Sequence, residues 1–365
     1  MTEPSGIRIT GLRVRAAIVP RPRPLIFHSA AFTESPLLLL DLETDAGVTG
    51  HAYLFCYHDE ALQPLVSLTR NMEAVVKGAD LAPQALSRML AGRFRYLGMQ
   101  GLMQLVASVI DMAAWDALAK AANLPLARLL GGAPRPLATY DSTGLGGPQS
   151  VAREARELAD AGFGTIKIKL GYATGRDDLA VIRAIRQAAP GMGLMVDYNQ
   201  RLSNVEATAR MALLEPEGLL WIEEPLDFND NDGHAALARQ FRTPLQLGEN
   251  WWNVHDMMKS VRAGASDCAM VDIARIGGVT GWLQCAAVAE AHGLPMSSHF
   301  FPEISAHLMC VTPTAHWLEF LEWASPILVD PARQENGVYQ MTDKPGSGVA
   351  WDESAVARYE IAFPT

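Results

Sequence analysis

Residues 193–199 read GLMVDYN, residues 219–225 LLWIEEP and residues 244–250 PLQLGEN. Each is a short apolar run ending in carboxylate: Asp197, then Glu223 with Glu224, then Glu249. The same figure extends in both directions. Eight strand candidates emerge at spacings of roughly 20–28 residues: LATY (137–140), TIKIKL (165–170), GLMVD (193–197), LLWI (219–222), PLQLG (244–248), CAMV (268–271), LPMSS (294–298) and WLEF (317–320). Helix-like stretches fill the intervals. This alternation predicts βα units around a parallel sheet, and eight of them predict a closed α/β barrel. A doubly wound open sheet is the alternative, but no GxGxxG follows an early strand.

Upstream of the barrel pattern, residues 7–57 read as β. LLLLDL (37–42) is an apolar run, Asp45-Ala46-Gly47 is a turn signal, and 48–57 is a returning strand. Between the first two strands lies PRPRPLIFHSAAFTESP (20–36), with three prolines in five residues. Such density predicts an irregular segment, either a stiff apolar loop or a lid over a site. Residues 59–122 read as helical. The clearest helix is 101–121, GLMQLVASVIDMAAWDALAKA, with apolar residues recurring at three and four. Glycines and prolines in LLGGAPRPL then place a domain boundary near 131–136.

The chain has 365 residues, 49% hydrophobic and 19% charged, which excludes a disordered protein. Lys plus Arg is 30 against 40 Asp plus Glu, a net charge of −10 that argues against nucleic acid or an anionic membrane as partner. Four cysteines with no CxxC pair form no disulfide framework, so a reducing, cytoplasmic setting is expected. MTEPSGIRIT holds no apolar signal region, and no apolar stretch is read as approaching the ~18 residues of a membrane span.

Barrel chemistry gathers at the C-terminal ends of the strands. Seven of the eight candidates end in or carry an ionisable residue: Lys167 and Lys169, Asp197, Glu223, Glu249, Asp272, His299 and Glu319. Any one alone is more simply a helix cap or a solvated charge. Their convergence on one mouth is the signal. Asp197, Glu223 and Glu249 are 26 residues apart each time, which predicts equal heights on adjacent strands. Three oxygen donors with no nearby thiol suit a hard cation, Mg²⁺ before Zn²⁺. Lys167 and Lys169 point the same way from one strand, and two adjacent ammonium groups disfavour each other's charge, which makes a usable base. Asp272 against His299 would fix the imidazole tautomer and supply a second base across the mouth. Glu319 would act as a protonated acid or pair with a lysine. Such a set suits removal of a proton next to a carboxylate, with the metal and the acid stabilising the enediolate.

The chain resembles the enolase superfamily, in its mandelate racemase subgroup. The resemblance rests on GLRVRA at 11, GHAYLF at 50, IDMAAWDAL at 110, MVDYNQ at 195, WIEEP at 221, GENW at 248, IGGVTGW at 276, PMSSH at 295, EISAHL at 303 and TPTAHWLE at 312. It implies a modified TIM barrel of (β/α)7β type with an N-terminal α+β capping domain. Residues 1–133 would form the cap, with a lid loop at about 20–35, residues 134–330 the barrel, and 331–365 a segment packing back on the cap. It implies Mg²⁺ on Asp197, Glu223 and Glu249, with Glu224 behind them. Lys169 would be the base for one enantiomer and His299, paired with Asp272, the base for the other. Lys167 would meet the substrate carboxylate, Glu319 would be the acid, and Ser142 and Asn199 would lie near the substrate. A homo-oligomer, an octamer in the family's racemase, is also implied.

By the same resemblance, Leu25, Ser29, Phe32, Phe55 and Tyr57 cover the substrate and Phe300 and Leu321 face them. Arg21 and Arg23 in the lid, and Thr143-Gly144 after Ser142, depart from the subgroup's pattern. The expected activity is two-base racemisation of an aromatic or apolar 2-hydroxy acid, such as mandelate. The alternative is an acid-sugar dehydratase of the same subgroup, which inward-pointing Arg21 and Arg23 would favour. A non-catalytic ligand-binding protein is the remote alternative.

Overall fold

The computed structural model describes residues 6–27 and 31–363. Strands β1 (Ile9–Ile26), β2 (Ala31–Thr44) and β3 (Thr49–Phe55) form an antiparallel sheet. Helices α1 (Asp59–Val76), α2 (Pro83–Arg93) and α3 (Gly101–Ala121) follow. The central strand β2 carries Leu37–Leu40 as a continuous buried run, as a strand covered on both faces must. Against the sheet packs α3, so closely that a Cβ on Gly50 of β3 would stand 2.0 Å from the Ala113 carbonyl oxygen. The alanines at 113, 114 and 117 are what permit that approach.

Two expectations are corrected here. Residues 20–26 and 31–36 are not irregular: they belong to β1 and β2, which pair out to Ile26 opposite Ala31. The prolines still leave their mark. Pro20 faces Glu34 and Leu25 faces Phe32, five steps along β1 against two along β2, so the ladder lapses where donors are missing. The second correction concerns α3. It is 21 residues long with a mean hydropathy of 1.4, enough by length and composition for a membrane span, but 83% of that window is buried within the protein. Its apolar surface is spent on the cap and the barrel.

The barrel strands are β4 (Leu137–Thr143), β5 (Thr165–Lys169), β6 (Gly193–Asp197), β7 (Ile222–Glu223), β8 (Leu245–Leu247), β9 (Cys268–Asp272), β10 (Met296–His299) and β11 (Leu318–Glu319). They pair in parallel in sequence order from β4 to β10, and β11 pairs with β4. The Ser298 amide donating to the Trp317 carbonyl at 3.0 Å joins β10 to the β11 segment and closes the ring. Helices α4 (Leu126–Leu129), α5 (Pro148–Asp160), α6 (Gly175–Ala188), α7 (Asn204–Leu214), α8 (Asn231–Gln240), α9 (Val254–Ala263), α10 (Ile273–Ile276), α11 (Gly278–His292) and α12 (Pro302–Met309) join and flank the strands. An α-helical connection follows each of β4 to β10, whereas β11 is followed by only a 3₁₀ turn at Ser325–Ile327 before the chain leaves the barrel, which is the (β/α)7β pattern. Below the mouth the barrel is plugged by Tyr140, Met195 and Trp221, all fully buried.

Past the barrel, β12 (Gln334–Glu335) and β13 (Val338–Tyr339) form an antiparallel ribbon on the outer end of β4. After α13 (Glu353–Tyr359), β14 (Glu360–Ile361) pairs with β1. Arg15 is bound to Glu353 at 2.6 Å, and the Trp351 indole donates to Asp41 at 2.6 Å. The last residues are thus fastened to the first sheet. The four cysteines are unpaired.

Candidate active site

Carboxylate oxygens of Asp197, Glu223 and Glu249 lie within 4.8 Å of one another, and all three residues are buried. Asp197 and Glu223 are register partners at the ends of β6 and β7. Glu249 is not at their height. The register partner of Glu223 is Gln246, and Glu249 lies beyond the end of β8. Gly248 makes the turn that brings it back, with φ +135° and no room for a Cβ, which would meet the Met270 carbonyl oxygen at 2.6 Å. The equal spacing in sequence therefore reflects convergence from a strand end and a loop, not equal height.

Three buried anions cannot stand together uncompensated. Burial, together with Asp197 and Glu249, pushes the Glu223 carboxyl well above its ordinary range, although Lys167 opposes this. Burial and the same two neighbours push Glu224 up as well. Glu224 Oε1 and Glu249 Oε2 are buried without a hydrogen-bond partner. Oxygen donors left open around one point are what a hard divalent cation such as Mg²⁺ satisfies. Glu224 stands behind the triad, its other oxygen accepting from Asn250 Nδ2 at 2.6 Å.

The two lysines are each claimed by carboxylates. Lys167 Nζ lies 2.9 Å from Glu223 and 3.0 Å from Glu319. Its burial works against the charge, but Glu223 and Glu319 outweigh it and hold the ammonium well above its usual range. Lys169 is bound to Asp197. Lys167 therefore stays a cation, leaving Lys169, which lines the open cavity, as the lysine within reach of a substrate.

Across the mouth, His299 Nδ1 is 2.6 Å from Asp272 Oδ2. The other oxygen of Asp272 accepts the amides of Ala274 and Arg275 at the start of α10, at 2.7 and 3.2 Å, which fixes the carboxylate. Its Nδ1 occupied, the ring presents Nε2 toward the triad, 3.2 Å from Glu249. Glu319 accepts from Ser142 Oγ at 2.6 Å and from the Phe300 amide at 3.1 Å. Burial raises its pKa, but Lys167 and His299 reverse this and bring it to about 2. Of the two arrangements expected for Glu319, the structure has the pairing with lysine, at 3.0 Å from Lys167 Nζ.

Several non-glycine residues around the mouth hold positive φ: Tyr57 (+59°), Asn199 (+43°), Gln200 (+63°), Glu224 (+35°) and Phe300 (+54°). Strained backbone clustered at one rim marks a built site. The Asn199 amide donates to Asp197 at 2.7 Å, so the strain there also orients a carboxylate of the triad.

The mouth opens into a cavity of about 400 Å³ under the β1–β2 arm. Leu25, Phe32, Phe55, Tyr57, Ser142, Lys169, Asn199, Glu249, His299, Phe300, Glu319 and Leu321 all line it. Lys167, Asp197, Glu223 and Asp272 sit behind that surface, and Ser29 lies outside the described residues. The aromatic wall is mutually packed: Phe32 meets Phe27 and Phe55 edge-on at 5.1 and 5.8 Å, and Phe55 stacks on Trp323 at 3.7 Å. Arg21 and Arg23 are not among the lining residues. Arg21 lies over the Trp323 ring at 4.0 Å, and Arg23 pairs with Asp141. The sequence reading missed Phe27, His58, Gln200, Arg201, Asn250 and Arg275, which also line the cavity. Gln200, Arg201, Asn250 and Arg275 follow within a few residues of Asp197, Glu249 and Asp272, and that adjacency was the available signal.

Two family models cover most of the chain. The mandelate racemase/muconate lactonizing enzyme N-terminal domain matches residues 9–131, and the enolase C-terminal domain-like family matches residues 150–355. L-talarate/galactarate dehydratase of Salmonella typhimurium is 34% identical over 364 residues, spanning 96% of this chain and 91% of its own. An enolase from Bradyrhizobium, crystallised with magnesium and mandelic acid, has a TM-score of 0.95 at 43% identity, covering 99% of this chain and 100% of that one. L-talarate dehydratase from Polaromonas sp. JS666, crystallised with Mg and L-glucarate, has a TM-score of 0.90 at 29% identity, covering 98% and 100%. Fold, cap and matched models agree: the chain belongs to the enolase superfamily, in its mandelate racemase/muconate lactonizing enzyme subgroup.

Proposed function

We propose that the protein racemises an aromatic or apolar 2-hydroxy acid of the mandelate class by two-base transfer of the α-proton. The observation that carries this is the wall opposite the bases. Leu25, Phe27, Phe32, Phe55, Phe300 and Leu321 offer no hydrogen-bonding side-chain atom, and the lid arginines turn to the barrel rim. A polyol seated there would lose ~1–3 kcal/mol for each hydroxyl left without a partner. The Bradyrhizobium relative with bound mandelic acid supports the same size and chemistry of ligand.

Asp197, Glu223 and Glu249 would hold Mg²⁺, which supplies Lewis-acid stabilisation of the charge that develops on the substrate carboxylate. Lys169 takes the α-proton from one face, and His299 Nε2 delivers one to the other. In the reverse direction the two exchange roles. Lys167 is drawn from Glu319 towards the substrate carboxylate. Glu319, released, takes up a proton from solvent and hydrogen-bonds the enediolate. Ser142 keeps Glu319 in place throughout. A homo-oligomer, octameric by resemblance, is part of the same proposal and is tested by sizing in solution.

A second reading, dehydration of an acid sugar, has its own support. The Salmonella and Polaromonas relatives are named for that activity. Gln200, Arg201, Asn250 and Arg275 form a polar arc in the cavity. There His299 would protonate the departing 3-hydroxyl. Proton NMR in D₂O with Mg²⁺, offering R- and S-mandelate separately, decides between them. The expected result is α-proton exchange from both enantiomers with loss of optical rotation. Lack of exchange by metal-loaded protein would reject the racemase, and a screen of sugar acids for 2-keto products would follow.

A further inference from the structure

Arg21, Arg23 and Gly144 stand out in the sequence, and the chemistry above uses none of them. In the structure they meet. Residues 21–24 of β1 fall in the lapse between Pro20 and Leu25, where pairing with β2 is interrupted. The barrel rim takes over that role. Arg23 Nη2 pairs with the Asp141 carboxylate and donates to the Ser142 carbonyl at 3.1 Å. Arg21 Nη1 donates to the Glu322 carbonyl at 3.2 Å. The Leu145 amide donates to the Ile26 carbonyl at 2.7 Å. Gly144 makes room for that contact, since a Cβ there would fall 2.4 Å from the Ile26 nitrogen.

What this fastening holds is the apolar wall. Leu25 and Phe27 face the cavity, and the Phe27 ring lies 5.0 Å from Lys169 Nζ. Ser142, whose carbonyl Arg23 grips, donates its hydroxyl to Glu319. One guanidinium nitrogen, Nη2, serves both acceptors, so a single charged group ties the Asp141 carboxylate and the Ser142 carbonyl to residue 23. We propose that Arg23 is a positioning residue: through Asp141 and the Ser142 carbonyl it pins residues 21–26 of β1, and with them Phe27, onto β4, and so places the apolar wall over Lys169.

The kinetic consequence rests on the racemase reading, but the pinning does not. The test uses Arg23→Met, Arg23→Lys and Asp141→Asn in the full chain. Hydrogen exchange at the Leu145 amide should quicken about tenfold in Arg23→Met, with a smaller change in Arg23→Lys. Amides deeper in the β1–β2–β3 sheet, such as Leu38, should keep parental rates. Asp141→Asn should reproduce the effect, and adding Arg23→Met to it should change little more. With mandelate, KM should rise about tenfold while kcat stays within about threefold. Parental exchange at Leu145 in Arg23→Met would overturn the proposal. So would acceleration spread evenly through the sheet, which marks a merely structural residue. If the parent turns over no mandelate, the racemase reading fails and the exchange data still decide on Arg23.

Discussion

Replacing Asp272 by Asn isolates the His299 base without removing it. The carboxylate makes two kinds of contact: one oxygen caps α10 through the amides of Ala274 and Arg275, and the other faces His299 Nδ1 at 2.6 Å. Asn can keep the cap with its carbonyl oxygen. Its amide then points at His299 and donates where the carboxylate accepted. The imidazole must turn Nδ1 into an acceptor and carry its proton on Nε2, the atom that would receive the α-proton. A neutral ring protonated there is no base. A wrong-tautomer imidazole loses on the order of 10³–10⁴-fold in rate, or about 4–5 kcal/mol of barrier. Racemisation needs both bases and should fall by that factor in both directions. Exchange of the α-proton into D₂O should separate the enantiomers. The one deprotonated by Lys169 should keep its rate within about tenfold, and the other should lose the full factor. A melting temperature close to the parent's would confirm that the cap survived. Equal slowing of both exchanges, or of neither, would refute the assignment of two bases on opposite faces.

Three further outcomes are expected. Chelator treatment should abolish activity and Mg²⁺ should restore it, while Glu223→Gln should weaken Mg²⁺ binding by about 10²-fold or more in calorimetry and free Lys167 from one partner. His307 is buried, its Nδ1 accepts the Ala127 amide at 3.2 Å, and desolvation lowers its pKa to about 4. Its stabilising share is present above the ordinary pKa and drains away as pH falls through the folded value, so from pH 7 to 4 the parent should lose about 3 kcal/mol more than His307→Gln in urea titrations. Parallel curves would absolve the imidazole. Gly50→Ala would drive a methyl into the Ala113 carbonyl at 2.0 Å, so β3 must part from α3. Overpacking of this kind should cost about 1–3 kcal/mol or more in the unfolding free energy.

The parts of the fold that were legible in the sequence are those where one physical rule acts alone. GLMVD at 193–197 and the helix at 101–121 match their elements end to end, because periodicity and burial there have no competitor. LLWI at 219–222 shows the opposite. Only Ile222 and Glu223 pair as a strand, since Trp221 is spent on the barrel plug and Leu220 stays exposed. Proline density misled at 20–26, because a strand can borrow partners from another element where its own ladder lapses. Asp197, Glu223 and Glu249 were found because a carboxylate after an apolar run is visible in one dimension. Asn250 and Arg275 were not, although both line the cavity, because neither a residue just past a strand nor one in the four-residue helix α10 has a period to betray it.

The bond between Ser142 and Glu319 joins residues 177 apart, across the seam where the last barrel strand meets the first. A ribosome working at about 5–20 residues per second delivers Glu319 roughly 9 to 35 s after Ser142. Until then β4 is an open sheet edge, and the residues that would hold the metal stand in a trough without a far wall. The edge of β1 that receives β14 waits longer still. Between the synthesis of β4 and that of β11 the nascent chain thus carries two unsealed edges. The mouth is complete only once β11 is in place, and a truncation within residues 316–361 would leave an aggregation-prone edge as well as an incomplete catalyst.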